Sequence, residues 1–171
     1  SSYKSAILIN PNYSDAYNNM GALFQKLKNY KDAINAYQES VKRQPNNFRT
    51  YNNLGSIFHE TRKYKEAIIH YQKSIQVFSN NIDANYNLGI IFQELGDFKK
   101  AINFYEKASI IDSENLLYLY LLGDLKFDIF NKTIKDKIIK IINNKECTKK
   151  NLSYGNFLLS NFKFKEENYE E

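Results

Sequence analysis

The chain has 171 residues, of which 43% are hydrophobic and 25% are charged, and its formal net charge is +5. Its six Gly and two Pro exclude collagen-like and proline-rich chains and favour helices over a turn-dense β-sandwich. A single cysteine, Cys147, excludes a disulfide framework and a cysteine-based zinc site. The sequence has neither an apolar run long enough to cross a bilayer nor a secretory signal, so we expect a cytoplasmic or nuclear protein without membrane contact.

Two amphipathic helices are predicted near the start of the chain. Apolar or small residues recur at helical spacing over residues 16–27 and again over residues 33–41. Gly21 lies within the first apolar stripe, and Ala33 lies within the second. Because small residues let helices approach closely where they cross, we interpret Gly21 as a packing residue rather than as part of a phosphate site.

The same pattern then returns with a period of about 34 residues, which is the length of a helix-turn-helix unit. The glycines recur at Gly21, Gly55, Gly89 and Gly123. The landmarks behind them are Phe24, Phe58 and Phe92; Tyr30, Tyr64 and Phe98; Ala33, Ala67 and Ala101; and Tyr37, Tyr71 and Tyr105. A pattern that repeats in this way predicts stacked units, each of which packs on its neighbours.

These residues resemble those of the tetratricopeptide repeat. The resemblance implies an all-α fold, a right-handed α-solenoid of antiparallel helix pairs. Tyr3, Ala6 and Pro11 precede Tyr37, Ser40 and Pro45 by one period, which places the first residues at the end of a second helix. The expected units are a partial repeat at 1–13, complete repeats at 14–47, 48–81 and 82–115, a degenerate repeat at 116–147, and a truncated fifth repeat or capping helix at 148–171.

The pattern weakens after residue 115 without disappearing. Leu119, Leu122 and Gly123 keep the first helix of the fourth repeat, and its second helix is expected over residues 133–142. Residues 161–166 then echo the turn that follows the first helix of the first repeat. A fifth repeat therefore opens within the last residues, with a turn expected near Asn161.

The tetratricopeptide resemblance implies that the first helices line a concave groove that binds extended peptides or partner helices. Asn19, Asn53 and Asn87 stand at the same position of three repeats, and each amide can donate and accept hydrogen bonds to a peptide backbone. The row resembles the asparagine ladder of O-GlcNAc transferase, although the fourth repeat has Leu121 there. The candidate peptide-binding residues are Asn18, Asn19, Gln25, Asn52, Asn53, His59, Tyr86, Asn87 and Gln93.

Two functions remain open at this point. The first is substrate recognition for an O-GlcNAc transferase-like protein, and the second is a scaffold that resembles the repeat subunits of the anaphase-promoting complex. Binding to acidic chaperone tails is disfavoured, because two basic positions of that clamp fall on Asp83 and Asn87. We expect proteins, extended peptides or further copies of the chain as partners, and no nucleic acid.

Two surfaces of the later repeats allow two interpretations each. An apolar group in the groove is either covered by a returning helix at 152–159 or open to a hydrophobic partner. Seven lysines between residues 131 and 151, against two acids, either form a solvated face around core isoleucines or bind an acidic or membrane surface. The apolar group is Tyr86, Ile90, Tyr120, Leu121 and Phe127; the lysines are Lys132, Lys135, Lys137, Lys140, Lys145, Lys149 and Lys150.

The sequence contains no motif typical of a catalytic, metal or cofactor site. His59 and His70 lie on different predicted helices, and neither has the second histidine or cysteine that a helical zinc site would use. No nucleophile elbow, phosphate loop or dinucleotide-binding fingerprint is present. We therefore predict no catalytic residue, no metal site and no cofactor in this chain.

Overall fold

The structure, a computed structural model, describes residues 13–125 and 131–169, with side chains described up to Phe164. Within these ranges the chain forms nine helices and no strand, which confirms the all-α fold class. Most of the partial repeat predicted at 1–13, and Phe127 of the predicted apolar group, lie outside the described residues. The helices are α1 (Ser14–Lys26), α2 (Tyr30–Arg43), α3 (Phe48–Glu60), α4 (Tyr64–Val77), α5 (Ile82–Glu94), α6 (Phe98–Ile111), α7 (Leu116–Leu125), α8 (Lys132–Ile142) and α9 (Lys149–Tyr169).

The chain divides into two compact units, Ser1–Ile91 and Phe92–Glu171, whose boundary lies within α5. In the first unit, α1 packs on α2 and α3 packs on α4, so that consecutive helices form pairs. In the second unit, α6 packs on α7, and α9 packs on both α7 and α8.

Glycine and tyrosine occupy the crossing within each pair of the first unit. Tyr37 and Tyr71 are each 1% exposed. A Cβ atom built on Gly21 would lie 2.6 Å from the Tyr37 ring, and one built on Gly55 would lie 2.7 Å from the Tyr71 ring. Since these distances leave no room for a methyl group, the recurring glycine is required by packing, as the sequence predicted.

The turn inside each helix pair places one residue in the left-handed region. Lys28, Arg62 and Gly96 stand one period apart and have φ angles of 58°, 56° and 76°. Only the glycine adopts this conformation without a steric cost. The next residue caps the second helix in the first and third repeats, because the side chains of Asn29 and Asp97 accept hydrogen bonds from backbone N–H groups three positions later.

Helix α9 closes the second unit. Leu158 is fully buried and Phe162 is 4% exposed, so one face of α9 belongs to the core. Near its start, the Asn151 Oδ1 accepts a hydrogen bond of 3.0 Å from the Leu116 backbone N–H, and its Nδ2 donates one of 2.8 Å to the Glu114 carbonyl. The Asn151 side chain therefore caps α7 from a distant part of the chain.

The turn expected near Asn161 is absent, because α9 continues through residues 161–166 to Tyr169. The position equivalent to Lys28 in this segment is Phe162, which is buried. A bulky aromatic residue disfavours the positive φ that the turn needs, and burial of its ring favours a continuous helix.

The structure also bears on the two surfaces that the sequence left open. The Tyr120 ring lies 5.1 Å from the rings of Tyr154 and Phe157, measured between centroids, so α9 covers this part of the apolar group. On α8, Ile138 is fully buried while Lys132 and Lys140 are exposed. This arrangement fits isoleucines in the core and lysines on a solvated face.

Candidate functional site

The predicted ligand residues of the first unit lie along α1, α3 and α5, on a surface that we call the first-helix face. Asn19 is exposed, whereas Asn53 and Asn87 are half-buried. Gln93 is the one predicted ligand residue that belongs to the second unit. Two junctions divide the first-helix face: the first junction lies between α1 and α3, and the second lies between α3 and α5.

Asn53 is held in place at the first junction. Its Nδ2 donates a hydrogen bond of 3.0 Å to the Asn18 Oδ1, which also accepts one of 3.1 Å from the Thr50 hydroxyl. Thr50 is fully buried, and its hydroxyl lies 3.1 Å from that of Ser40. The amide of Asn53 is therefore fixed by a network that extends into the core.

The second junction lacks these bonds, although the sequence repeats. One period after Thr50 the chain has Ala84, which carries no hydroxyl. One period after Asn53 it has Asn87, whose Nδ2 donates 2.8 Å to the Asp83 carbonyl of its own helix. The Oδ1 of Asn52, which corresponds to that of Asn18, is buried without a hydrogen-bond partner among the described residues. An unpartnered buried acceptor of this kind costs about 1–3 kcal/mol.

We expect the substitution Ala84→Ser to raise the free energy of unfolding by about 1 kcal/mol, because the new hydroxyl supplies the donor that Asn52 lacks. Urea denaturation followed by circular dichroism measures the change. The matched control is Ala16→Ser, two repeats earlier, where Ala16 is also buried and no described unpartnered acceptor corresponds to Asn52. Destabilisation by Ala84→Ser as large as that by Ala16→Ser would contradict this account of the second junction.

Gln25 of α1 links α2 and α3 at the first junction. Its Oε1 accepts a hydrogen bond of 2.9 Å from the Tyr37 hydroxyl, and its Nε2 donates one of 2.7 Å to the Glu60 Oε1. Burial, together with the nearby Glu60 carboxylate, raises the pKa of Tyr37 to about 12. The Tyr37 phenol thus remains protonated at neutral pH and keeps Gln25 in position.

The equivalents of Gln25 differ between repeats. In the second unit the Gln93 Oε1 accepts a hydrogen bond of 2.8 Å from Tyr105. His59 takes the same position in the second repeat, and its ring lies 5.9 Å from that of Tyr64 between centroids. Gln25 and Gln93 are therefore used to hold their own helix pairs, a role that the sequence analysis did not assign to them.

The third repeat also reverses a residue pair. Where the second repeat has Tyr51 followed by Asn52, the third has Asn85 followed by Tyr86. Asn85 is 2% exposed, and its Nδ2 donates to the Asn81 carbonyl at 2.9 Å. Tyr86 is half-buried on α5. The reversal replaces an amide with an aromatic ring at the position of Asn18 and Asn52.

Sequence reasoning missed Thr50 and Ala84 as residues that shape this surface. An alignment of the repeats contains the signal, because Ala16, Thr50 and Ala84 occupy one position and only the threonine carries a hydroxyl. Across the described ranges, the structure holds no group of three or more His, Cys, Asp or Glu arranged to bind a metal ion. A helix with the length and apolarity to cross a membrane is likewise not found in the described part of the chain.

Comparison with known proteins identifies the family to which these helix pairs belong. Two family models described as tetratricopeptide repeat match residues 46–114 and 14–47, and together they span more than half of the chain. No curated protein gives a match. Domains of this repeat typically bind proteins or peptides and are generally non-catalytic, so the fold indicates a protein-interaction module.

Solved structures share the fold at low sequence identity. A crystal structure of MamA is 22% identical, covers 96% of this chain and 87% of its own, and has a TM-score of 0.68. A second MamA structure is also 22% identical, with 99% and 83% coverage and a TM-score of 0.67. The tetratricopeptide domain of Arabidopsis OM64, 22% identical, covers 67% of this chain and 95% of its own at a TM-score of 0.62. The chain belongs to the tetratricopeptide repeat family.

Proposed function

We propose that the first-helix face binds extended peptide segments of partner proteins and contacts mainly their backbone. The observation that carries this proposal is the fixed position of Asn53, which Asn18 and the buried Thr50 hold at the first junction. A side chain that is already ordered loses little conformational entropy when it binds a ligand. Asn53 is therefore suited to recognition rather than only to packing.

The remaining hydrogen-bond donors and acceptors of the asparagines complement those of a peptide backbone. Each side-chain amide has two N–H donors and an acceptor oxygen, and the bond to Asn18 uses only one donor of Asn53. Neighbouring helices lie about 8–10 Å apart, which an extended peptide spans with about three residues. Amides at Asn19, Asn53 and Asn87 would thus contact every third residue of a bound peptide.

Such contacts tolerate many sequences, because every residue offers the same backbone groups. This property suits the substrate-recognition domain of an O-GlcNAc transferase-like protein, in which a separate domain would carry out catalysis. Three net hydrogen bonds contribute only a few kcal/mol, at about 0.5–1.5 kcal/mol each. We therefore expect weak binding by this chain alone.

The test uses a pool of random-sequence peptides about twelve residues long, which suffices to cross three first helices. We expect the wild-type chain to bind the labelled pool in fluorescence anisotropy, and the triple variant Asn19→Ala, Asn53→Ala, Asn87→Ala to bind it at least about tenfold more weakly. The matched control replaces Asn35, Asn103 and Asn156 with alanine, since these asparagines are exposed elsewhere. Circular dichroism checks that all three proteins are equally helical. Equal binding by the two triple variants would refute the proposal.

A scaffold that assembles through copies of itself is the second candidate. It is favoured by apolar side chains on α9 that remain accessible, because Leu152, Phe157 and Phe164 are 43%, 49% and 57% exposed. Apolar surface of this kind marks many protein interfaces. Light scattering over a range of concentrations distinguishes this candidate, since self-association would raise the mean mass and peptide binding alone would not.

A further inference from the structure

The second junction offers acceptors for hydrogen bonds and few donors. The Asn52 Oδ1 is buried without a hydrogen-bond partner in the part of the chain that the structure describes, and the Asn87 Nδ2 donates to the Asp83 carbonyl. One N–H of the Asn87 amide is engaged on its own helix, and its Oδ1, which accepts no hydrogen bond from a described residue, can accept one from a ligand. The Asp83 carboxylate is exposed and forms no ion pair with a described residue. The Asp83 charge contributes to raising the pKa of Tyr71, which burial raises most.

The first junction differs in both charge and hydrogen bonding. Arg49 occupies the position of Asp83 one repeat earlier, so a cation stands where the second junction has a carboxylate. There the Asn18 Oδ1 has two donors, whereas the corresponding oxygen of Asn52 has none among the described residues. At this one position, two neighbouring junctions with nearly the same sequence thus carry side chains of opposite charge.

We propose that the second junction binds the ammonium group of a lysine, or the guanidinium group of an arginine, in the peptide held by the first-helix face. This inference rests on the proposed peptide-binding function. Ammonium and guanidinium groups carry only donors, and they form their strongest hydrogen bonds with carboxylate and carbonyl oxygens. Asp83 supplies the charge, and Asn87 supplies a neutral acceptor one helical turn away.

Binding of the cation would also complete the hydrogen bonds of the junction. Rotation of the Asn87 amide toward the ligand would release its Nδ2 from the Asp83 carbonyl, and by analogy with Asn53 and Asn18 one repeat earlier this group would then donate to the Asn52 Oδ1. The Asp83 carbonyl lies in the first turn of α5, where the helix itself provides it with an N–H donor. The rotation therefore exchanges a dispensable hydrogen bond for one to an unpartnered acceptor.

Net charge cannot produce this preference. The chain carries a formal charge of +5, so unspecific attraction would favour acidic peptides over basic ones. A preference for lysine must therefore arise from a local group. Measurement at about 0.15 M salt further screens distant charges, because the Debye length is then about 8 Å.

The experiment compares two labelled peptide pools, about twelve residues long to span the first-helix face, that differ only at the central position. One pool has lysine there, and the other has norleucine, which has a similar chain without the ammonium group. We expect the wild-type chain to bind the lysine pool about tenfold more tightly. Asp83→Asn is expected to abolish the difference, and Asp15→Asn, at the same exposed position one repeat before Arg49, to preserve it.

The outcomes separate this inference from the proposed function. Equal affinity of the wild-type chain for both pools, or a lysine preference that persists in Asp83→Asn, would overturn the cation site and leave peptide binding intact. Failure of both pools to bind would overturn the proposed function as well. If the wild-type chain prefers the lysine pool and Asp83→Asn binds both pools equally with unchanged helicity, both the cation site and the proposed function are supported.

Discussion

Replacing Gly55 with alanine is expected to lower the free energy of unfolding by about 2–3 kcal/mol, although alanine is the better helix former. The added methyl group would lie 2.7–2.8 Å from three atoms of the Tyr71 ring, which is itself 1% exposed and cannot move aside into solvent. The two helices of the pair must therefore separate, or the ring must leave its preferred rotamer. Urea denaturation followed by circular dichroism measures the loss.

The control for this substitution is Gly96→Ala. A Cβ built on Gly96 meets no atom within 4 Å, but the residue has a φ of 76°. We expect this change to cost only about 1 kcal/mol, from backbone strain rather than overlap. If Gly55→Ala were as stable as the wild type, the close packing of Gly55 on Tyr71 would not hold in solution.

Truncation of Leu158 to alanine is expected to destabilise the second unit by about 3 kcal/mol, because the side chain is fully buried and its removal leaves a cavity. Leu152→Ala on the same helix is the matched control, since Leu152 is 43% exposed and should cost less than about 1 kcal/mol. Thermal denaturation followed by circular dichroism compares the two variants. Equal effects would show that α9 does not belong to the core of this unit.

Much of the fold could be predicted from the sequence, because the repeat period reflects where the helices of each pair cross and pack. A glycine at Gly55 and a tyrosine at Tyr71 must recur together if each helix pair is to cross at the same place. The second helix of the fourth repeat, expected over 133–142, is observed as Lys132–Ile142. Here apolar spacing alone was sufficient, because one stripe of the helix must face the core.

Other features could not be read from the pattern, for different physical reasons. The turn expected near Asn161 depends on the backbone conformation at Phe162, and burial of that ring is a tertiary effect that a local echo does not contain. The Asn52 Oδ1, unpartnered among the described residues, lies opposite Ala84, which lacks the hydroxyl that its counterpart Thr50 donates to Asn18. A repeat alignment places both residues correctly, but it does not tell which donor remains for Asn52.

The hydrogen bonds of Asn151 make the protection of the first N–H of α7 depend on the presence of α9. Because this side chain of α9 satisfies the first N–H of α7, departure of α9 would leave the Leu116 amide open to solvent. The amide proton of Leu116 should therefore not exchange with deuterium more slowly than the opening of α9 allows. The first turn of α7 is thus expected to lose this cap whenever α9 opens, even though α8 lies between the two helices in the chain.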